Sequence, residues 1–187
     1  ALIKLRVIGG DEALGGRIDR ARDAFVFSSV QQDLTELSHL RERQNNELVK
    51  PGAVNVKYSF GGVIDIEYYV QSLQIMHGAA DPKLRSANTL EALTALREAG
   101  HVSQDDYRML SEAYIFLRRL INALRIVRGN AKDLVLPDRN SQEYRFLARR
   151  LGYTGADVYE QLHHDVSRHM ESATQAHRTR FIHKLFD

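Results

Sequence analysis

The sequence predicts an all-α fold, a single helical-bundle domain of about six to seven helices with one short extended segment before a Gly61-Gly62 turn. Three observations predict it. Only three prolines and twelve glycines occur in 187 residues, and they fall between long runs of helix-forming residues. Apolar residues recur at spacings of three and four, most clearly at Tyr107, Leu110, Tyr114, Leu117, Ile121 and Leu124. Residues suited to capping stand in front of several of these runs.

Asp11 caps a first helix running to about Phe27. A second, amphipathic segment from Val30 to Val49 carries Leu34, Leu37, Leu40 and Leu48 among charged residues, and Pro51-Gly52 ends it. Val54 to Tyr58 alternates like a strand, the one non-helical island. Val63 to about His77 has helical spacing at Val63, Ile66, Val70 and Leu73, with further apolar groups on other faces, as a central helix would. After a loop at Asp81-Pro82, Asn88 or Ser86 caps a helix ending near Gly100. Ser103 with Asp106 resembles a capping box for the strongly periodic helix that Gly129-Asn130 ends. Ser141 starts a short helix to about Leu151. Thr154 with Asp157 caps a last one, whose face is Val158, Leu162, Val166, Met170, Ala173, His177, Phe181 and Leu185. No internal repeat and no long linker interrupts the chain, so residues 1–187 read as one helical domain.

Composition narrows the chemistry. The absence of cysteine excludes disulfides, thiolate metal sites, iron–sulfur clusters and a cysteine nucleophile. A formal charge of +2 provides no global field for nucleic acid or anionic lipid, and no apolar run approaches a bilayer span, so neither nucleic acid nor membrane is expected as a partner and the chain reads as cytoplasmic. The eight histidines include none at i and i+4 on one helix and no H-E-x-x-H, so no metal site is expected. His164-Asp165 resembles the doublet of metal-dependent phosphohydrolases, but on a polar helix it reads first as a solvated pair. No G-x-S-x-G elbow and no phosphate-binding glycine loop occurs.

Two constellations remain. From Lys57 through Gln74, two adjacent glycines permit a sharp turn or a close approach, and Asp65 and Glu67 follow at a helix start, where the dipole favours negative charge. On a helix these two carboxylates lie about 200 degrees apart and cannot share one metal, whereas Glu67, Gln71 and Gln74 share a face. A capped helix and a functional surface both fit. Further on, Arg125, Arg128 and Lys132 share one face near the end of the periodic helix, as a solvated face or as a patch for an acidic partner or nucleotide phosphate.

The residues around the glycine pair resemble the bifunctional glutamine-synthetase adenylyltransferase/deadenylylase family, in the helical domain that follows each of its nucleotidyltransferase domains. The family pattern is a Lys, then Gly-Gly-Ile-x-Asp-Ile-Glu-Phe and x-x-Gln-x-Leu-Gln-Leu. This chain matches it at Lys57, Gly61, Gly62, Asp65, Ile66, Glu67, Gln71, Leu73 and Gln74. Further matches are His77-Gly78, Pro82 to Arg85, Asn88 to Leu90, Ala92-Leu93, Ala113-Tyr114 and Phe116 to Arg118. The related PII uridylyltransferases carry a similar glycine pair, usually without the Glu that stands here at Glu67, which favours the glutamine-synthetase branch. The adenylylating and deadenylylating halves both stay open.

The resemblance implies a helical accessory or regulatory domain, with residues 1–10 as the junction from an upstream nucleotidyltransferase domain. It also implies ATP and magnesium as cofactors of the full-length enzyme and none in this segment, with glutamine synthetase and PII protein as partners. No catalytic residue is expected here. Lys57, Gly61, Gly62, Asp65, Glu67 and Gln71 are the candidates for facing the neighbouring active-site cleft, and Arg125, Arg128 and Lys132 for an anionic partner. The alternatives are an interaction module that docks glutamine synthetase or PII, and the helical domain of a PII uridylyltransferase relative.

Overall fold

A computed structural model describes residues 2–28 and 34–181. It is all-helical: α1 Glu12–Val26, α2 Leu34–Leu48, α3 Val63–His77, α4 Thr89–Glu98, α5 Gln104–Arg128, α6 Gln142–Leu151 and α7 Val158–Phe181, with short 3-10 turns at Leu2–Lys4 and Pro82–Leu84. Position Val30 and the terminal Leu185 lie outside the described residues, as do the side chains of Leu34, His177 and Phe181. None of these helices is long and apolar enough to cross a membrane. The chain forms two compact units, one of residues 1–34 and 67–107, the other of 35–66 and 108–187.

In the first unit, α1 begins where the Asp11 carboxylate accepts the Leu14 N–H at 2.7 Å, the N-cap arrangement that satisfies an orphan helix donor. The last turn of α1 buries Val26, and Phe27 follows it into a small core with Ile3 and Ile75. Gly78 lets the chain pass over that ring: a Cβ there would sit 2.7 Å from Phe27 Cδ1. Arg85 closes the same corner, donating to the Gly78 carbonyl at 2.7 Å and to Asp23 at 3.2 Å, with its guanidinium 5.0 Å from the Phe27 centroid. Asn88, rather than Ser86, caps α4, accepting from Leu90 N–H at 3.0 Å. Ala92, Leu93 and Leu96 on α4 are fully buried. Ser103 Oγ accepts the Asp106 N–H at 3.1 Å and donates to the Asp106 carboxylate at 2.8 Å. The aspartate closes the box through the Ser103 hydroxyl.

In the second unit, α5 buries Leu110, Ala113, Leu117, Leu120, Ile121 and Leu124, while Tyr114 on the expected stripe is only half-buried. Ser141 caps α6 and Gly152 ends it in the left-handed region. The α6 face buries Tyr144, Leu147 and Ala148, and Val158, Leu162, Val166 and Ala173 of α7 are buried as expected, joined by His169 and Ala176. Burial pushes the Tyr144 phenol up to about 12. The extended segment shrinks to a single bridge between Asn55 and Val135, with Val56 N–H donating to Leu134 at 2.9 Å and Leu136 N–H to Val54 at 2.7 Å. It goes no further because Asn55 Oδ1 accepts the N–H groups of Lys57 and Tyr58 at 3.0 and 3.1 Å, a side-chain turn that bends the chain out of the ladder. On α2 the leucine face departs from expectation: Leu40 and Leu48 are exposed, and the fully buried residue is Arg41.

Candidate functional site

The loop ahead of α3 is wound tightly on itself. Ser59 Oγ accepts the Asn55 N–H at 2.8 Å, Gly62 N–H donates to Ser59 at 2.8 Å, and Ile64 N–H donates to Lys57 at 3.2 Å. Gly61 has φ +80°, and a Cβ on it would sit 2.7 Å from Thr174 Oγ1 and closer still to the Met170 carbonyl. A Cβ on Gly62 would meet the Lys57 carbonyl oxygen at 2.7 Å. The close approach that two glycines allow is therefore made within this unit, to α7 and to the loop itself.

Asp65 is fully buried. Its carboxylate pairs with Arg41 Nε and accepts the Gly61 N–H at 2.5 Å. Arg41, also fully buried, donates a second hydrogen bond to the Ser59 carbonyl at 2.9 Å, and its guanidinium lies 4.9 Å from the Phe60 centroid. One residue set thus joins α2, the glycine loop and the first turn of α3. Arg41 Nη1 is buried without a partner among the described residues.

Glu67 belongs to the other unit and to a different cation: its carboxylate lies 2.6 Å from Lys4 Nζ, with a side chain 14% exposed. Lys4 also donates to Thr89 Oγ1 at 3.3 Å. Gln71 is half-buried one turn on, and Gln74 is buried with its amide donating to the carbonyls of Leu84 and Ser86 at 2.6 and 2.8 Å. Lys57 is half-buried, its ammonium 4.8 Å from the Tyr58 ring. The two acids of the motif thus take separate cations, Arg41 and Lys4. Among the described residues no group of three or more His, Asp or Glu side chains is arranged to hold a metal ion.

The basic end of α5 is not a bare trio of cations. Arg128 donates to Glu143 at 2.5 Å and pairs with Asp133 at 2.9 Å, leaving it nearly buried. Lys132 lies past the end of α5, in the turn where Asn130 Oδ1 accepts its N–H at 2.8 Å, so it does not share a helical face with the other two. Arg125 and Lys132 are exposed.

A second polar cluster lies on α7. Tyr153 donates to Asp165 at 2.5 Å, Arg168 lies 3.2 Å from the same carboxylate, and His169 stacks on Phe116 with centroids 4.5 Å apart. Burial raises the Tyr153 phenol, and the hydrogen bond to Asp165 raises it further. Burial pulls the other way at Asp165, but the Tyr153 hydroxyl and Arg168 hold its carboxyl below the ordinary value. Burial, then Arg168, lowers His169. His164 is exposed with its Nδ1 3.5 Å from Asp165 Oδ1, a carboxylate that Tyr153 and Arg168 also contact.

A family model described as GlnD PII-uridylyltransferase matches residues 23–181. Proteins named bifunctional glutamine synthetase adenylyltransferase/adenylyl-removing enzyme are also similar. That of Streptomyces avermitilis is 33% identical over 192 residues, covering 100% of this chain and 19% of its own length. That of Mycolicibacterium smegmatis is 36% identical over 154 residues, 80% of this chain and 15% of its own. That of Stenotrophomonas maltophilia is 36% identical over 169 residues, 84% and 17% respectively. The chain belongs to this GlnD and adenylyltransferase family of helical domains.

This adenylyltransferase-family domain spans less than a fifth of the length of the relatives it matches. Of the residues singled out in its sequence, Gly61, Gly62 and Asp65 come together around Arg41, whereas Glu67 and Gln71 fall in the other unit. Two participants have no place in the motif, Arg41 and Lys4. Arg41 carried a signal: it lies seven residues before Leu48 and four after Leu37, so the helical period puts a cation on an apolar stripe.

Proposed function

We propose that this chain is the helical accessory domain of a glutamine synthetase adenylyltransferase/deadenylylase, supporting AMP transfer to or from glutamine synthetase in the cytoplasm. In this reading the carboxylates that handle ATP and magnesium belong to a nucleotidyltransferase domain of the longer enzyme, with PII as its regulatory partner. The observation that carries the reading is an exposed apolar face on α1. Leu14, Ile18 and Phe25 are 53%, 40% and 69% exposed, and with exposed Ala21 they are spaced four, three and four apart. That is one continuous apolar stripe, and Ile8, in the segment before α1, is 90% exposed as well. Apolar surface on this scale marks a site covered by another protein surface, and relatives about five times longer contain one in the same polypeptide. The acids of the glycine motif fit a supporting role, since Asp65 and Glu67 each neutralise a cation of this chain.

Two measurements test it. The 187-residue chain incubated with labelled ATP, magnesium and glutamine synthetase should transfer no AMP, and transfer would overturn the reading. In the full-length enzyme, Ile18→Glu with Phe25→Glu should lower AMP transfer while leaving the melting temperature of the isolated chain unchanged; undiminished transfer would overturn it equally. The match to the uridylyltransferase family model favours one second reading, the corresponding domain of an enzyme that modifies PII. UMP transfer to PII in place of AMP transfer by the full-length enzyme would select it.

A further inference from the structure

Beside the glycine loop, within the second unit, the last turn of α2, the Pro51-Gly52 turn and α7 enclose a groove of about 590 Å³. Its ionisable lining residues are Lys50 and His163, both exposed, and no carboxylate lines it. Neither residue makes an ion pair or side-chain hydrogen bond among the described residues. One wall is Phe60, 44% exposed, with Met170 half-buried on another. Because the Arg41 guanidinium stands 4.9 Å from the Phe60 centroid, the ring is held on one side by a buried cation. The amides of Asn45 and Asn46 also line it; the Asn45 amino group donates to Asn46 Oδ1 at 3.4 Å, which leaves the Asn45 side-chain carbonyl as an acceptor and the Asn46 amino group as a donor.

We propose that this groove binds a nucleoside monophosphate: a phosphate between Lys50 and His163, with a flat base against Phe60 whose edge is read by Asn45 or Asn46. Three features select that class. A lining whose only formal charge is positive favours an anion, and a lysine with no carboxylate partner is a common phosphate ligand. The volume lies within the range of about 300–1,000 Å³ typical of small-molecule sites, far more than a lone phosphate fills. An exposed aromatic wall with amides beside it suits a planar heterocycle, which has both a π-face and hydrogen-bonding edges. The inference concerns a site within this chain and does not depend on what covers α1.

The test is an NMR titration of the ¹⁵N-labelled 187-residue chain with AMP, the corresponding uncharged adenosine and inorganic phosphate. AMP should give saturable shifts at the amides of Lys50, Gly52, Phe60 and Ser167, with affinity at least about tenfold above either adenosine or phosphate, as a site gripping both ends requires. Lys50→Ala with His163→Ala, both exposed positions, should weaken AMP by at least about tenfold with the rest of the spectrum retained. The proposal fails if AMP produces no saturable shift at these residues, if the double variant binds AMP unchanged, or if phosphate alone binds as tightly as AMP.

Discussion

Arg41 and Asp65, on α2 and α3, form an ion pair with both side chains completely buried, and the same carboxylate takes the Gly61 N–H at 2.5 Å. The pair explains why an aspartate stands three residues after two glycines: the loop is fastened at the point where it turns into α3. Removing one member leaves the other charge buried and unmatched, so Arg41→Met or Asp65→Leu alone should cost about 3–5 kcal/mol in urea unfolding. The double variant should cost clearly less than the sum of the two. Additive losses would mean that the two side chains do not act as a pair.

The glycine pair gives a sharper comparison. Gly61 and Gly100 have nearly the same backbone, φ +80° and +79°, but only Gly61 faces an obstacle, since a Cβ on Gly100 meets nothing within 4 Å. Gly100→Ala should therefore cost only the backbone penalty of about 1 kcal/mol. Gly61→Ala should cost at least about 2 kcal/mol more, because α7 has to shift. Equal melting temperatures for the two variants would show that α7 does not press on the loop.

His169 should make stability depend on pH in the mildly acidic range. Burial and Arg168 lower its folded value from the ordinary 6.5, while Asp165 and Glu112 oppose them. The unfolded chain therefore takes up a proton that the folded chain resists, so this contribution is present above about pH 6.5 and lost as pH falls through the folded value. Melting temperature should drop between pH 7 and pH 5, and His169→Gln should flatten that part of the profile. A parallel profile in the variant would assign the dependence elsewhere.

At Glu67 a structural and a functional role separate cleanly. Its partner Lys4 is partly exposed, so Glu67→Gln should change unfolding free energy by no more than about 1 kcal/mol. On the proposed reading of Glu67 as a cleft-facing residue, the same substitution should lower AMP transfer by the full-length enzyme by at least about tenfold. Activity falling only in step with stability would return Glu67 to a purely structural part.

Helix positions were legible because each rests on short-range chemistry. Asp11, Asn88 and Ser141 cap where their residue types indicate, and the α5 and α7 stripes are buried nearly as their spacing requires. The short extended segment ends at Asn55, where a side-chain hydrogen bond outcompetes further pairing. The burial pattern of α2 was not legible for a different reason. Its period is real, but the residue it buries is Arg41, chosen by an acid 24 residues away in the chain. Partners at that separation leave no local trace, which is also why the pairing of Lys4 with Glu67 was not legible in the sequence.

The division of the polypeptide at residues 34/35, 66/67 and 107/108 has a practical corollary for dissection. Neither half is a contiguous stretch: each is assembled from two separated pieces, and all three crossings fall within helices, at the first residue of α2 and inside α3 and α5. A truncation that trims the chain to isolate one half would sever a helix and discard part of the other's interior. Deletion mapping should therefore yield insoluble products at nearly every internal cut, and surface substitution is the way to assign roles to either half.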